Sequence, residues 1–285
     1  MDFNIYRIEL TSQAGGRRGA GAPVSFISST RIEQYPQFSP DGRRIAFTSN
    51  RSGSDEIWVC DAEGKNPVQL TNFAGHAAGS SWSPDGRFIA FSSLADGNTD
   101  IYVVGADGGT PRRLTTDPST ERTPSWSRDG HWIYFASNRT GRSEVWKMPA
   151  AGGAAVQLTR GGGQNPAEST DGRTVYYLKG RNDPGLWQVS AEGGEETRVF
   201  EARVDPGNWA VTARGIYFIT RQPQFLYALE FFDFATRQTT QITTLEGPGG
   251  TFQISGLTIS PDERWVLYAR RDKLDFDLML VENFR

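Results

Sequence analysis

The chain has 285 residues, with 30 Lys and Arg against 33 Asp and Glu, and a formal net charge of −3. This balance provides no basic surface of the kind that nucleic-acid-binding domains carry, so we expect no nucleic-acid partner. A single cysteine excludes an internal disulfide, and no apolar run is long enough to cross a membrane. The 32 Gly and 15 Pro residues favour an all-β chain that is rich in turns.

The first residues, 1–4, do not resemble the beginning of a signal peptide. We therefore expect a cytoplasmic protein, or a periplasmic one if the sequence is one domain of a longer exported or membrane-anchored chain. In either case this chain is not expected to insert into a membrane.

Two strand-like segments come first, at residues 4–9 and 24–29, and a Gly- and Ala-rich loop at 13–21 lies between them. A turn signal follows at Ser39-Pro40-Asp41-Gly42, and it leads directly into an apolar segment. The unit then recurs with turn aspartates at positions 41, 85, 129, 171 and 262, so the intervals are 44, 44, 42 and 91 residues. The last interval spans two units, because a degenerate copy without the aspartate lies at 212–218.

A period of about 40–45 residues with four short strand-like segments per unit predicts a β-propeller blade. We name the strands of each unit a to d, so that the recurring turn joins strand a to strand b. The sequence predicts an all-β, six-bladed propeller with four-stranded antiparallel blades and a single domain. The predicted blades are 31–72, 78–116, 122–160, 164–200, 207–244, and 254–285 closed by 1–30.

The closing blade is predicted to join the two ends of the chain. Its strands a and b come from the last unit, its strand c is expected at 277–282, and segment 24–29 has the pattern of a strand d. Pairing 24–29 with the C-terminal strands would close the ring and leave no open sheet edge. Segment 4–9 also resembles strand c, which is one too many. It either adds a fifth, outermost strand to the closing blade or belongs to a blade further upstream in a longer protein.

The turn aspartates have two interpretations. They could form a ring of metal-binding or catalytic carboxylates. Their identical place in each unit favours turn formation, because Asp accepts hydrogen bonds from nearby backbone N–H groups and the following Gly accepts a positive φ.

Two further sets of recurring residues also favour structural roles. The aromatic residues of strand c could bind sugars, but their spacing indicates packing between blades. Arg51 and Arg139 follow strand b, and we expect each to pair with a carboxylate such as Glu56 or Glu144 rather than with a ligand. The strand c aromatics are Trp58, Tyr102, Trp146 and Trp187.

A longer pattern surrounds the turn. The run Ser-Pro-Asp-Gly-Arg-x-Ile-Ala-Phe, complete at 39–47 and at 83–91, is followed in the repeats by Ser-Asn-Arg, by Ile-Trp-Val or Ile-Tyr-Val, and by Gly-Gly and Leu-Thr. It resembles the repeat of TolB-type propellers, which are WD-like in architecture but lack the Gly-His and Trp-Asp signatures. The resemblance implies a periplasmic hub for protein partners, a sensory domain of a membrane-anchored bacterial regulator, or a propeller that gates or forms a peptidase or polysaccharide lyase.

Motifs for catalysis do not occur in the sequence. The two histidines are His76 and His131, and neither a Gly-x-Ser-x-Gly nor a His-Glu-x-x-His motif is present. No Gly-rich loop enters a helix, so phosphate binding has no support. We predict no catalytic residue, no metal and no cofactor. If the protein is an enzyme, His76 is the only plausible general base of its type.

The units differ most in their d–a loops, which surround one mouth of the central channel in a propeller and often carry binding residues. These loops predict a mouth that is charged on one side and small or apolar on the other. Such a surface suits a protein or peptide better than a small polyanion, while an ordinary solvated set of loops is the alternative. The predicted mouth residues are Arg31, Glu33, His76, Glu121, Arg122, Gln164 and Asn165, with Asp205, Trp209 and Phe252 on the other side.

Two functions of different classes are therefore considered. The sequence favours a monomeric, non-catalytic propeller that binds a protein or peptide, or serves as the C-terminal sensor domain of a larger bacterial regulator. The alternative is a propeller-based enzyme, or a domain that gates one, of the peptidase or polysaccharide-lyase type.

Overall fold

The computed structural model describes residues 2–12, 18–73, 75–180, 183–223, 226–246 and 253–273. Within these ranges we find strands, and no helix that is long and apolar enough to cross a membrane. In chain order the strands are β1 (Asp2–Ser12), β2 (Arg18–Ala20), β3 (Val24–Ile27), β4 (Glu33–Phe38), β5 (Arg44–Ser49), β6 (Glu56–Asp61), β7 (Val68–Gln69), β8 (Ala77–Trp82), β9 (Phe88–Ser93), β10 (Asp100–Gly105), β11 (Arg112–Arg113), β12 (Glu121–Trp126), β13 (Trp132–Ser137), β14 (Glu144–Pro149), β15 (Val156–Gln157), β16 (Gln164–Glu168), β17 (Thr174–Leu178), β18 (Leu186–Ser190), β19 (Thr197–Phe200), β20 (Val204–Val211), β21 (Gly215–Arg221), β22 (Tyr227–Asp233), β23 (Thr239–Leu245), β24 (Ile254–Ile259) and β25 (Trp265–Lys273).

The strands form six antiparallel sheets, which are the blades of the predicted propeller. Blades 1 to 5 each contain four strands that are consecutive in sequence: β4–β7, β8–β11, β12–β15, β16–β19 and β20–β23. The closing blade contains β24, β25, β1 and β3, and β2 pairs with the far end of β1. The six-bladed, all-β fold with closure through an N-terminal strand is confirmed.

The turn between strands a and b is stabilised by its own side chains. In blade 1, Ser39 Oγ donates to Asp41 Oδ1 at 2.6 Å, and the backbone N–H groups of Arg43 and Arg44 donate to Asp41 and Ser39 at 3.1 and 2.9 Å. Gly42 has a φ of 70°, a left-handed conformation that favours glycine. The same Ser–Asp hydrogen bond recurs in blades 2, 3 and 4 and in the closing blade. The structural interpretation of the aspartates is therefore confirmed.

Each blade buries both of its faces against its neighbours. Ile45 and Phe47 of β5 pack with the closing blade, whereas Ala46, which lies between them, packs with Ile89 and Phe91 of blade 2. Because successive side chains of a strand point to opposite faces, a continuous apolar run is buried on both sides. The strand c aromatics lie within or against the same clusters, so their role in packing between blades is confirmed.

The N-terminal segment 4–9 occupies a different place from either of those predicted. It lies in β1, which pairs with β25 from Glu9↔Trp265 to Asp2↔Lys273 and carries β3 on its other side. Segment 4–9 is thus strand c of the closing blade, neither its outermost strand nor part of an upstream blade. Segment 24–27 is the expected strand d, but it pairs with β1. The strand c that we expected at 277–282 lies outside the described residues.

The apolar pattern of β1 explains its central place. Ile5 packs with Ile45 of blade 1, and Ile8 packs with Tyr217 and Ile219 of blade 5. Both isoleucines are fully buried, one on each face of the strand. A strand that is apolar on both faces is covered on both sides only when it lies between two other blades.

We predict that Ile8→Ala lowers the free energy of unfolding by about 2–5 kcal/mol, because it removes buried methyl and methylene groups and leaves a cavity. The control is Val24→Ala in β3 of the same blade, since Val24 is 49% exposed and should change stability by about 0.5 kcal/mol or less. Denaturant unfolding of both variants measures the difference. Equal, small effects would show that β1 is not an integral strand of the ring.

Candidate functional site

The inner strands of the six blades surround a central channel. Strands β4, β8, β12, β16, β20 and β24 line a cavity of about 760 Å³. Its wall extends from His76, in the d–a loop of blade 2, to the a–b turns at the opposite end, such as Pro40. We call these the d–a end and the a–b end of the channel.

Every inner strand is interrupted by an irregularity at the same level of the channel. There the register with strand b shifts, and one residue adopts a left-handed conformation. In five blades this residue stands four positions before the first residue of the a–b turn, a recurrence that the sequence analysis did not use. The residues, with their φ angles, are Tyr35 (52°), Gly79 (72°), Thr123 (52°), Asn165 (51°), Gly207 (80°) and Gly256 (76°).

Close approach of the chain requires glycine at one of these positions, Gly256, and a second glycine, Gly207, lies at ordinary contact distance from the same residue. A Cβ atom on Gly256 would lie 2.6 Å from Tyr35 Cα, and one on Gly207 would lie 3.7 Å from the Tyr35 ring. The backbone of Tyr35 therefore approaches Gly256 of the closing blade, and its ring packs against Gly207 of blade 5. Tyr35, Thr123 and Asn165 keep side chains at positive φ, which costs conformational energy for non-glycine residues. These three residues line the channel.

Four of the predicted mouth residues line the channel: His76, Arg122, Asn165 and Trp209. His76 Nδ1 lies 2.7 Å from Asp55 Oδ2, and the imidazole is 58% exposed. The hydrogen bond with Asp55 is the main cause that raises the pKa of His76, while desolvation and the positive charge of Arg122 act in the opposite direction. Arg122 is exposed, and its side chain makes no hydrogen bond or ion pair with any residue that the structure describes.

Two predicted mouth residues, Glu33 and Glu121, are instead part of the protein interior. Both are fully buried, and their carboxylates pair with Arg51 at 2.9 Å and with Arg139 at 3.0 Å. The expectation that these arginines contact carboxylates is confirmed, but the partners lie on strand a. A buried carboxylate that already has an arginine partner is not a surface for a ligand, so we leave Glu33 and Glu121 out of the site.

The remaining predicted residues lie elsewhere. Arg31 is exposed, while Gln164 and Asp205 are partly buried, and none of the three belongs to the channel lining of the described structure. Phe252 lies outside the described residues. Four of the ten predicted mouth residues therefore line the channel, one from each of blades 2 to 5.

The a–b end contains charged residues that the sequence analysis did not single out. Arg128 occupies the turn position that is Pro40 in blade 1, and Glu168 precedes the turn of blade 4; both line the channel. Glu168 Oε1 accepts a hydrogen bond from Tyr134 Oη at 2.6 Å, and its Oε2 accepts one from the backbone N–H of Arg128 at 2.5 Å. The signal was present as a departure from the repeat, because Arg128 replaces the proline of Ser-Pro-Asp-Gly.

The arrangement around His76 contains part of a catalytic unit. A carboxylate that hydrogen-bonds one imidazole nitrogen is one of the two contacts that an activated nucleophile needs. No hydroxyl or thiol of the described residues hydrogen-bonds His76. The described part of the chain also holds no group of three or more His, Cys, Asp or Glu side chains that could bind a metal ion, and we derive no step through one.

The fold and the channel define a six-bladed propeller whose inner wall carries the candidate binding groups. The family model of the TolB beta propeller domain matches residues 6–183, more than half of the sequence, and the chain belongs to this family. A segment of 31 residues is 58% identical to the Protein TolB homolog of Chlorobaculum tepidum. This match covers 11% of the chain and only 7% of that relative's length.

Solved structures share the architecture. A TolB-type protein from Agrobacterium tumefaciens superposes with a TM-score of 0.76 at 22% identity, over 95% of this chain and 98% of that one. An oligogalacturonate lyase in complex with manganese superposes with a TM-score of 0.55 at 12% identity, over 95% of this chain and 98% of that one. At these identities the similarity shows a shared fold alone. One of the proteins that share this fold is an enzyme.

We predict that Asp55→Asn moves the pKa of His76 down towards its ordinary value of about 6.5, because the substitution removes the charged hydrogen-bond partner. Because the folded-state pKa of His76 is raised, the stability from the pair is present in full below the unfolded pKa and is lost as pH rises through the folded pKa. Histidine NMR titration of both proteins measures the shift, with His131 in its a–b turn as the internal reference. An unchanged His76 titration would contradict the contact.

A second prediction concerns the buried pair. Arg139→Ala should lower the free energy of unfolding by about 3–5 kcal/mol, because it leaves the Glu121 carboxylate buried without its ion-pair partner. The double variant Arg139→Ala with Glu121→Gln should recover part of this loss, since no uncompensated charge then remains. Thermal or denaturant unfolding checks both. A cost for Arg139→Ala below about 1 kcal/mol would place Glu121 at the surface, as the sequence suggested.

Proposed function

We propose that this propeller binds an extended segment of a protein partner at the d–a end of the channel, and that the segment carries an acidic side chain. The binding residues are His76, Arg122, Asn165 and Trp209. The observation that carries the proposal is the guanidinium of Arg122, which is exposed beside His76 and has no ion-pair partner among the described residues.

Charge complementarity supports an acidic partner. The whole chain is weakly acidic, with a net charge of −3, yet Arg122 adds a positive charge to the d–a end and Asp55 already pairs with His76. The raised pKa of His76 adds further positive charge as the pH falls. An anionic group at this end gains a charge-assisted hydrogen bond without displacing an existing partner of Arg122.

The shape of this end supports an extended segment. The left-handed residue Asn165 lines the channel, and its backbone N–H donates to Thr123 Oγ1 of the neighbouring blade at 3.3 Å. Trp209 contributes a largely buried apolar wall. A polypeptide has backbone groups for the polar side and side chains for the apolar side, and an extended segment enters a channel more easily than a folded domain does.

A second candidate function is hydrolysis or elimination that uses His76 as the base. The contact of His76 with Asp55 favours it, because this contact orients the imidazole and leaves Nε2 without a partner among the described residues. Turnover of a peptide or uronate substrate that is lost in His76→Ala would support this candidate in place of binding alone.

We predict that acidic decapeptides on an array bind the wild-type protein and that Arg122→Glu weakens this binding about tenfold or more, because it places like charges opposite each other. The matched control is Arg31→Glu, which makes the same change of charge at an exposed arginine outside the channel. Array binding is measured at low and at physiological salt, since salt screens contacts between exposed charges. Equal binding by the two variants would refute the proposed site.

A further inference from the structure

The a–b end of the channel consists of two rings of aligned residues, one from each blade. All twelve residues line the cavity, and each ring contains a single charged residue. The outer ring, at the turns, is Pro40, Pro84, Arg128, Thr170, Ala213 and Pro261. The inner ring, one step before each turn begins, is Phe38, Trp82, Trp126, Glu168, Val211 and Ile259.

Glu168 has a structural role in this arrangement. It is buried and accepts hydrogen bonds from the Tyr134 hydroxyl of blade 3 and from the backbone N–H of Arg128. Its negative charge is therefore stabilised by two donors, neither of which is the guanidinium of Arg128. The contact also holds the turn of blade 3 against the inner strand of blade 4, which positions the backbone from which the Arg128 side chain extends.

The guanidinium of Arg128 has no such partner. It makes no hydrogen bond or ion pair within the part of the chain that the structure describes, and it is exposed inside the channel. By contrast, Arg51 and Arg139 each pair with a buried carboxylate. Desolvation by the channel wall lowers the pKa of Arg128, and the nearby charge of Glu168 opposes this effect. The channel wall thus partly desolvates the Arg128 guanidinium, and no described residue forms an ion pair with it.

The sequence shows that this arginine replaces a residue suited to the turn. Proline, as in Pro40, Pro84 and Pro261, sets φ for the second position of the turn in advance. Blade 3 forms the same turn, with Ser127 Oγ donating to Asp129 at 2.6 Å, although it lacks the proline. The turn therefore does not require Arg128, and its side chain is available for another role.

We infer that Arg128 forms a second binding site, at the a–b end of the channel, which takes one carboxylate group attached to an apolar body. The planar guanidinium matches a carboxylate in two parallel hydrogen bonds. The aromatic, aliphatic and proline residues of both rings fit the apolar body. Glu168 stands close by, so a single negative charge is favoured over a phosphate dianion. The carboxylate could be the C-terminus of a peptide or that of a small organic acid.

The experiment uses two acids and their uncharged counterparts. Calorimetric titration of the full chain with hexanoate and with an N-acetylated Ala-Leu-Ala-Leu peptide should detect binding of at least one acid, while hexanamide and the peptide amide bind at least tenfold more weakly. Binding of the peptide acid alone identifies a chain terminus as the source of the carboxylate. Binding of hexanoate identifies a small acid as sufficient.

Variants of Arg128 assign the site. Arg128→Ala and Arg128→Gln remove the cation and keep the backbone N–H that donates to Glu168, so both should fold normally and weaken binding of the acid at least tenfold. The matched control is Arg31→Gln, which removes an exposed arginine outside the channel and should bind as the wild type does. The inference is overturned if both Arg128 variants bind the acids normally, or if neither acid binds the wild type at about 10 mM. Because the proposed peptide site depends on Arg122, either site can fail without the other.

Discussion

The pairing of β1 with β25 is the contact on which the rest of the molecule depends. A propeller blade is apolar on both faces, so a ring with one blade incomplete would expose the inner faces of two neighbours. Here the first and last described strands of the chain lie side by side, and Ile5 and Ile8 of β1 reach the cores of blades 1 and 5. The entropic cost of bringing two distant chain ends together grows only slowly with the length of the chain between them. The burial of apolar side chains at the junction can therefore offset this cost.

Closure of the ring also determines how repeated residues are arranged around the channel. Once the blades are related by rotation, each aligned position becomes a ring of six side chains, and a residue that departs from the repeat becomes the single unlike member of its ring. Arg128 is such a residue among prolines and small side chains, and Glu168 is another among apolar ones. Glu263 is a third, since it stands where four of the other turns have glycine and keeps a φ of 53° while it pairs with Arg18 at 2.8 Å. A charged residue that the fold of its own blade does not need can thus become the one charged group of its ring in the closed propeller.

The fold was predictable because its information is repeated. Five near-copies of one turn and strand define the blade, and two-sided apolar runs such as Ile45-Ala46-Phe47 indicate neighbours on both faces. The site was less predictable, because the irregularity in each inner strand means that the residues before and after it do not follow one alternation of faces. Alternation counted from the a–b turn therefore does not reveal that Glu33 and Glu121, which precede the irregularity, are buried. The position of segment 4–9 was equally hard to predict, because a strand c has the same sequence pattern in any blade. Its position in the closing blade is shown only by the packing of Ile5 against blade 1 and of Ile8 against blade 5.

Arg122 and Arg128 line the channel, and neither side chain has an ion-pair partner among the described residues. Both belong to blade 3, with Arg122 in β12 and Arg128 in the turn that follows it. The six steps of chain between them include the left-handed residue Thr123 and the start of the a–b turn, so about 20 Å is the upper limit of their separation. The two cations lie towards opposite ends of the channel. The surroundings differ as well, since Arg122 stands beside His76 and Asn165, whereas Arg128 stands among proline and aromatic side chains. One inner strand thus presents the same cation in a polar setting at one mouth and in an apolar setting at the other, which is the physical basis for assigning the two ends to different ligands.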